Sequence, residues 1–384
     1  MEFALSEEQA LFRKSVRDFV EREVIPAARE IDEQDEFPWE LFRRCGRLGF
    51  FALRYPEASG GLGADPLTFI LMVEELARGS LALASIVGMQ ALNGTDILYH
   101  LGTEAQKQRW LVPALSGDAI GAIAITEPDA GSDIGGITTQ ARAESEGWVI
   151  RGRKMWITSA TVADFFIVAA KTDPTLRSQG IDLFLVEKDR PGLAVGRKID
   201  KLGTRGSPTS VLILDDVRVP ADSRLGLPGS GFQHLRRTLA EIRAMTGALG
   251  LGLGQAALEA SLKYARERSQ FGRPIAAFQA IAHKLAGMGT QLEAARWLVY
   301  RAAWEAARSQ PDVKLGAMAK LFATEMANHL ADEATRIFGS YGYAMEYDAQ
   351  RYYRDARFLL YGAGTSEILL SLIAKEMGEA PNRI

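Results

Sequence analysis

The sequence predicts a multidomain α+β chain of 384 residues, in which a helical domain, an antiparallel β domain and a second helical domain follow one another. Three observations carry that reading. Apolar residues recur with a helical period through the first third. The period shortens to two from about residue 120 to about residue 228. From Phe232 the helical period returns and persists in long segments that suggest a bundle. The expected domains are 1–119, 120–229 and 230–384.

In the first domain, Ser6-Glu7-Glu8-Gln9 is a capping box. Leu11, Phe12, Val16, Phe19, Val20 and Val24 then share one helix face, and Pro26 is expected to end it. Pro38 suits a helix start, with Leu41, Phe42, Cys45 and Leu48 on one face and Gly49 beyond the end. Ser59-Gly60-Gly61-Leu62-Gly63 reads as a loop. Pro66 opens a helix that leads into an almost uncharged one, Ser80 to Leu92, and Thr103-Glu104-Ala105-Gln106 is a second capping box. In the β domain, short β-branched or aromatic runs such as Phe165 to Val168, Leu183 to Val186 and Val211 to Leu214 alternate with Gly, Pro, Asp and Ser. Helices in the last domain are expected to end near Ser269, Ser309 and Phe338, and a final one to start near Thr365.

Composition narrows the function. Lysine and arginine total 45 against 48 acidic residues, a net charge of −3 that gives no nucleic-acid footprint. One cysteine, Cys45, excludes an internal disulfide or a thiolate metal cluster, and four scattered histidines suggest no metal site. The apolar stretches fall short of a membrane span. The acidic start suits neither a signal nor a transit peptide, so a cytoplasmic protein is expected.

Several stretches could carry chemistry. Gly247, Gly250, Gly252 and Gly254 lack a preceding strand and the GxGxxG spacing, so they read as small residues at a helix crossing. Residues 124–133 place Thr126, Ser132 and backbone amides at a strand edge, a turn able to hold a polar ring or simply to face solvent. In Lys154-Met155-Trp156-Ile157-Thr158, Trp156 could cover a flat ligand while Thr158 bonds its edge, or the indole could be core. Residues 268–279 break a helix at Gly272 and Pro274, freeing Arg268 and Gln270 to reach a diphosphate or forming only an elbow.

Together and in this order, these stretches resemble the acyl-CoA dehydrogenase family. Lys201 to Ser207, Ile337 to Tyr343, Tyr353 to Arg357 and Gly364-Thr365-Ser366-Glu367-Ile368 extend the resemblance over the whole chain. It implies a C-terminal four-helix bundle, non-covalent FAD and a homotetramer. It places Thr126, Trp156 and Thr158 at the flavin ring and Ser132 between flavin and thioester. Arg268, Gln270, Phe271 and Gln279 would reach the cofactor of a neighbouring subunit, with Gly339, Thr365 and Glu367 at the adenosine end. The implied reaction is α,β-dehydrogenation of an acyl-CoA thioester, with an electron-transferring flavoprotein as acceptor.

The departures lie where the family removes the α-proton. The usual glutamate is Ala363 here, the usual tyrosine before it is Gly362, and the alternative glutamate position before Arg243 is Ile242. Glu241 is the nearest carboxylate in sequence and the candidate displaced base. Arg243, Gly362 and Ala363, with Ser132, are the expected substrate contacts. Ala240 replaces an aspartate that often meets the pantetheine arm, which suits an acyl group held differently or carried on a carrier protein. Arg336 replaces a glutamine that commonly touches FAD, and Asp96 falls in the helical wall of the acyl pocket. Ala363 and Gly362 leave a roomier site, fit for a bulky, branched or cyclic acyl group. A redox-neutral thioester lyase and an idle flavin-binding subunit are the other readings.

Overall fold

The computed structural model describes residues 4–308 and 312–378. Helix α1 (Glu7–Phe19) begins at the expected box: the Ser6 hydroxyl accepts from the Gln9 backbone, and the Gln9 side chain accepts from that of Ser6. Such a cap contributes about 1 kcal/mol. The helix does not stop at Pro26. A π turn over Val20–Val24 carries the chain into α2 (Ile25–Gln34), where Pro26 sits in the first turn. There its missing N–H is a donor that would go unused. Asp35, left-handed at φ 53°, ends the run instead.

Helices α3 (Trp39–Arg47), α4 (Pro66–Gly79), α5 (Leu81–Met89), α6 (Thr95–Leu101), α7 (Glu104–Gln106) and α8 (Val112–Ser116) complete the first domain. Asp65 caps α4 at the predicted Pro66. Joined by a π turn, α5 and α6 make an apolar run, Leu81–Leu101, longer than the sequence suggests and long enough to cross a membrane. Its most apolar window is 94% buried, so it is the core of this domain.

Strands β1 (Gly121–Ala124), β2 (Gln140–Glu144), β3 (Gly147–Thr158), β4 (Phe165–Lys171), β5 (Ile181–Glu187), β6 (Leu193–Val195), β7 (Thr209–Pro220) and β8 (Arg224–Leu225) form one sheet. Its order is β6-β7-β3-β2-β4-β5-β8, with β1 also on β4. The sequence predicts a wholly antiparallel domain, but the sheet is mixed. β1 runs parallel to β4 with Gly121 opposite Phe165, and β2 meets β4 parallel at Gln140 and Lys171. Parallel neighbours need a long crossover. The loop after β1 and the β2–β3 hairpin supply it.

The last domain consists of α9 (Gly231–Glu267), α10 (Gln279–Arg308), α11 (Val313–Phe338), α12 (Asp348–Phe358) and α13 (Ser366–Glu376). α10 is described to Arg308, and the helix end expected near Ser309 lies outside the described residues. α11 lies along α9, α10 packs on both, and α12 and α13 close on α11. A β9 (Ser269–Gln270) and β10 (Arg273–Pro274) hairpin joins α9 to α10.

The glycines of α9 act as read. A Cβ on Gly252 would stand 2.2 Å from the Glu74 carbonyl oxygen of α4, and one on Gly250 would stand 2.8 Å from that of Ala323 in α11. Leu76, Leu251 and Ala327 belong to one apolar core that joins the first and last domains.

Candidate active site

The loop after β1 is fixed by a buried ion pair. Lys154 on β3, fully buried, donates to Glu127 Oε1 at 2.8 Å and to the Ile125 carbonyl at 3.0 Å. Glu127 also accepts from the Thr138 and Thr139 backbone N–H groups at 2.6 and 2.9 Å. Burial works against both charges. It pushes Lys154 down to about 8, whereas Lys154 and these donors overcome it at Glu127 and hold that carboxyl near 2. The pair thus staples both ends of the segment carrying Thr126 and Ser132.

A bulge on β3 turns Trp156 outward. The register against β7 shifts between Lys154 and Ile157, and Trp156 sits at φ 62° with 54% of its surface exposed. A bulge re-aims a side chain in this way. The Met155 N–H donates to the Thr126 carbonyl at 2.8 Å, so Thr126 lies next to the stretch of β3 that carries the indole. Thr158 follows two residues on, half-buried. Among the described residues, the hydroxyls of Thr126, Ser132 and Thr158 have no hydrogen-bond partner. Free hydroxyls around an exposed indole fit a flat heteroaromatic ring with polar edges, and the flavin of FAD is such a ring.

The loop before α13 is held by two cations. Ala363, at φ 60°, follows Gly362 in the loop before α13. Its carbonyl accepts from Arg243 Nε of α9 at 3.4 Å. The next carbonyl in line, that of Gly364, accepts from Lys320 Nζ of α11 at 2.8 Å. Burial and nearby Arg236 push Arg243 down, and burial and Arg243 push Lys320 down to about 8 against Glu325. Sequence reasoning missed Lys320; its signal is a lone lysine in an alanine-rich face, Ala317 to Ala323.

Glu241, expected as the displaced base, meets a different arrangement. Its carboxylate is bound by Arg54, which also donates to Asp96 at 3.0 Å. Asp96 accepts from the Thr238 hydroxyl at 3.0 Å, and His100 stands 3.5 Å away. Burial opposes the Asp96 charge, but His100, Arg54 and Thr238 hold it near 2. Two residues along α9 turn the helix by about 200°, so Glu241 and Arg243 leave on opposing sides. Glu241 faces a cavity of about 100 Å³ lined also by Arg54, Phe69, Ala240, Ala303 and Gly316. Arg54 was likewise missed; nothing in Leu53-Arg54-Tyr55 marks it.

The remaining expected residues lie around the hairpin and the last helices. Arg268 stands over the Tyr341 ring at 5.6 Å. Gln270 and Gln279 are exposed, and Phe271, at the hairpin tip with φ 52°, is 93% exposed. Gly339 ends α11 at φ 63°, Thr365 caps α13 by accepting from Ile368, and Glu367 lies exposed in its first turn. Arg336 pairs with Asp332 at 2.7 Å.

Comparison with known proteins matches three descriptions in order: acyl-CoA dehydrogenase N-terminal domain over residues 6–118, middle domain over 122–217, and C-terminal domain over 229–378. The chain is 51% identical to benzylmalonyl-CoA dehydrogenase of Aromatoleum aromaticum, over 98% of this chain and 100% of that one. It is 41% identical to 3-(aryl)acrylate reductase of Clostridium sporogenes, over 97% and 99%. The structure of butyryl-CoA dehydrogenase from Megasphaera elsdenii superposes with a TM-score of 0.95 at 38% identity, covering 98% and 100%.

Proposed function

The chain belongs to the acyl-CoA dehydrogenase family, and from that premise we propose that its substrate is an aryl-bearing acyl thioester of coenzyme A. It is an FAD-dependent dehydrogenase that forms an α,β-double bond in a bulky acyl group. FAD, when bound, takes up the β-hydrogen as hydride. Trp156, Thr126, Thr158 and Ser132 hold the ring edge. Arg268, Gln270, Phe271 and Gln279 reach from a neighbouring subunit of a cytoplasmic homotetramer, and Gly339, Thr365 and Glu367 receive the adenosine end. An electron-transferring flavoprotein takes the electrons.

The observation that carries the aryl reading is the pair of small side chains at Gly362 and Ala363. They stand where the family usually has a tyrosine and a glutamate, and both are far smaller. The names of the benzylmalonyl and arylacrylate relatives point the same way. Glu241 holds the first and last domains together through Arg54.

A panel of thioesters added anaerobically to the holoenzyme tests the reading. Benzyl-bearing members should bleach the flavin, and butyryl-CoA should leave it yellow. Faster bleaching by butyryl-CoA than by any aryl member would overturn it.

A further inference from the structure

Arg243 is half-buried, and among the described residues no carboxylate pairs with it. Its one hydrogen bond is the long one to the Ala363 carbonyl, and its charged neighbours, Arg236 and Lys320, share its sign. A guanidinium drawn out of water without a counter-ion costs free energy that an anion in the right place recovers. Ala363, whose carbonyl takes the Nε–H, has a methyl side chain that cannot supply that anion. The carboxylates on the other side of α9, Glu241 and Asp96, are both held by Arg54. Among the described residues, the site therefore has a cation in want of an anion and no free carboxylate beside it.

We propose that Arg243 binds a carboxylate borne on the α-carbon of the substrate, and that this carboxylate leaves as CO2 in place of the proton a base would remove. The proposal rests on the dehydrogenase reading above. The bond between the α-carbon and the carboxylate breaks, and its electron pair becomes the thioester enolate. CO2 departs. The enolate pair then forms the double bond as the β-hydrogen leaves as hydride, for which the family's own flavin is the oxidant. One negative charge enters as carboxylate and one leaves as hydride, so no proton passes to the protein. Arg243, with Lys320 behind it, keeps positive charge beside the carbon on which the pair develops. Benzylmalonyl-CoA has the required α-carboxylate.

The phosphates of coenzyme A are another anion that could meet Arg243, so the test compares thioesters that share them. Benzylmalonyl-CoA and 3-phenylpropionyl-CoA differ only in the α-carboxylate. On the anaerobic holoenzyme the first should reduce the flavin and release one CO2 per flavin. The second should react at least about a hundredfold more slowly, the scale of a missing general base. Equal rates would overturn the proposal and leave the dehydrogenase reading intact. Release of CO2 without bleaching would uphold the carboxylate role and overturn the dehydrogenase reading. Inertness of both would overturn both.

In Arg243→Gln with normal FAD content, half-saturation by benzylmalonyl-CoA should rise about tenfold, roughly 1.4 kcal/mol. That for 3-phenylpropionyl-CoA, which has no carboxylate to lose, should rise about threefold at most. Arg243→Lys should recover part of the loss. Ala363→Glu supplies the missing anion from the protein, so it should speed 3-phenylpropionyl-CoA at least about tenfold and erase the preference. An unchanged preference in both Arg243→Gln and Ala363→Glu would overturn the assignment.

Discussion

At the scale of single residues, the site is decided by which charges are paired. Glu241 is occupied by Arg54, so Glu241→Gln should keep flavin reduction within about threefold of the parent while losing about 1–3 kcal/mol of stability in thermal unfolding. Loss of flavin reduction with FAD retained would make Glu241 the base. The buried carboxylates give a pH signature. Asp96 and Glu127 both titrate near 2 in the fold, against 3.8 and 4.5 unperturbed. Between those values the unfolded chain binds more protons than the native one, so stability falls with falling pH. Unfolding measured by denaturant should therefore show these two contributions present above about pH 4.5 and lost as the pH falls towards about 2. Glu127→Gln should flatten that acid limb. The sequence made Trp156, Thr126 and Thr158 legible because they are near in the chain or on one strand face. It hid Arg54 and Lys320, whose roles exist only once α9, α11 and the loop before α13 meet. The solitude of Arg243 was equally hidden, since an unpaired charge is a property of its surroundings.

At the scale of elements, the helical and strand periods were legible and the joints were not. Pro26 carries an ordinary stop signal, yet the π turn before it lets the helix continue. The Leu81–Leu101 run hid its length because Asn93, Gly94, Thr95 and Asp96 interrupt its apolar pattern, although all four are buried. Parallel pairing of β1 and β4 leaves no trace in an alternating pattern, which reports faces and not partners. The glycines of α9 were legible because they lacked the strand a phosphate loop needs. Gly252→Ala tests that reading. Its Cβ would press on backbone of α4, so stability should fall by about 1–3 kcal/mol with the flavin site chemically unaltered. An unchanged melting temperature would mean that α4 and α9 are not held at this crossing.

At the scale of the whole molecule, the almost wholly exposed Phe271 on the hairpin between α9 and α10 supports the proposal that a neighbouring subunit completes the cofactor site. Phe271→Ser should lower both the mass measured by light scattering and the FAD retained through gel filtration, and a full-sized yellow assembly would contradict that. The central claim, that alanine stands where the family has its base and that the uncompensated Arg243 guanidinium beside it receives a substrate carboxylate, is tested most directly by a crystal structure of the holoenzyme with an unreactive thioether analogue of benzylmalonyl-CoA. The account predicts the α-carboxylate of that ligand on the Arg243 guanidinium, across the ligand from the flavin. An acidic side chain of the protein facing the α-carbon, with the ligand carboxylate turned to solvent, would contradict it.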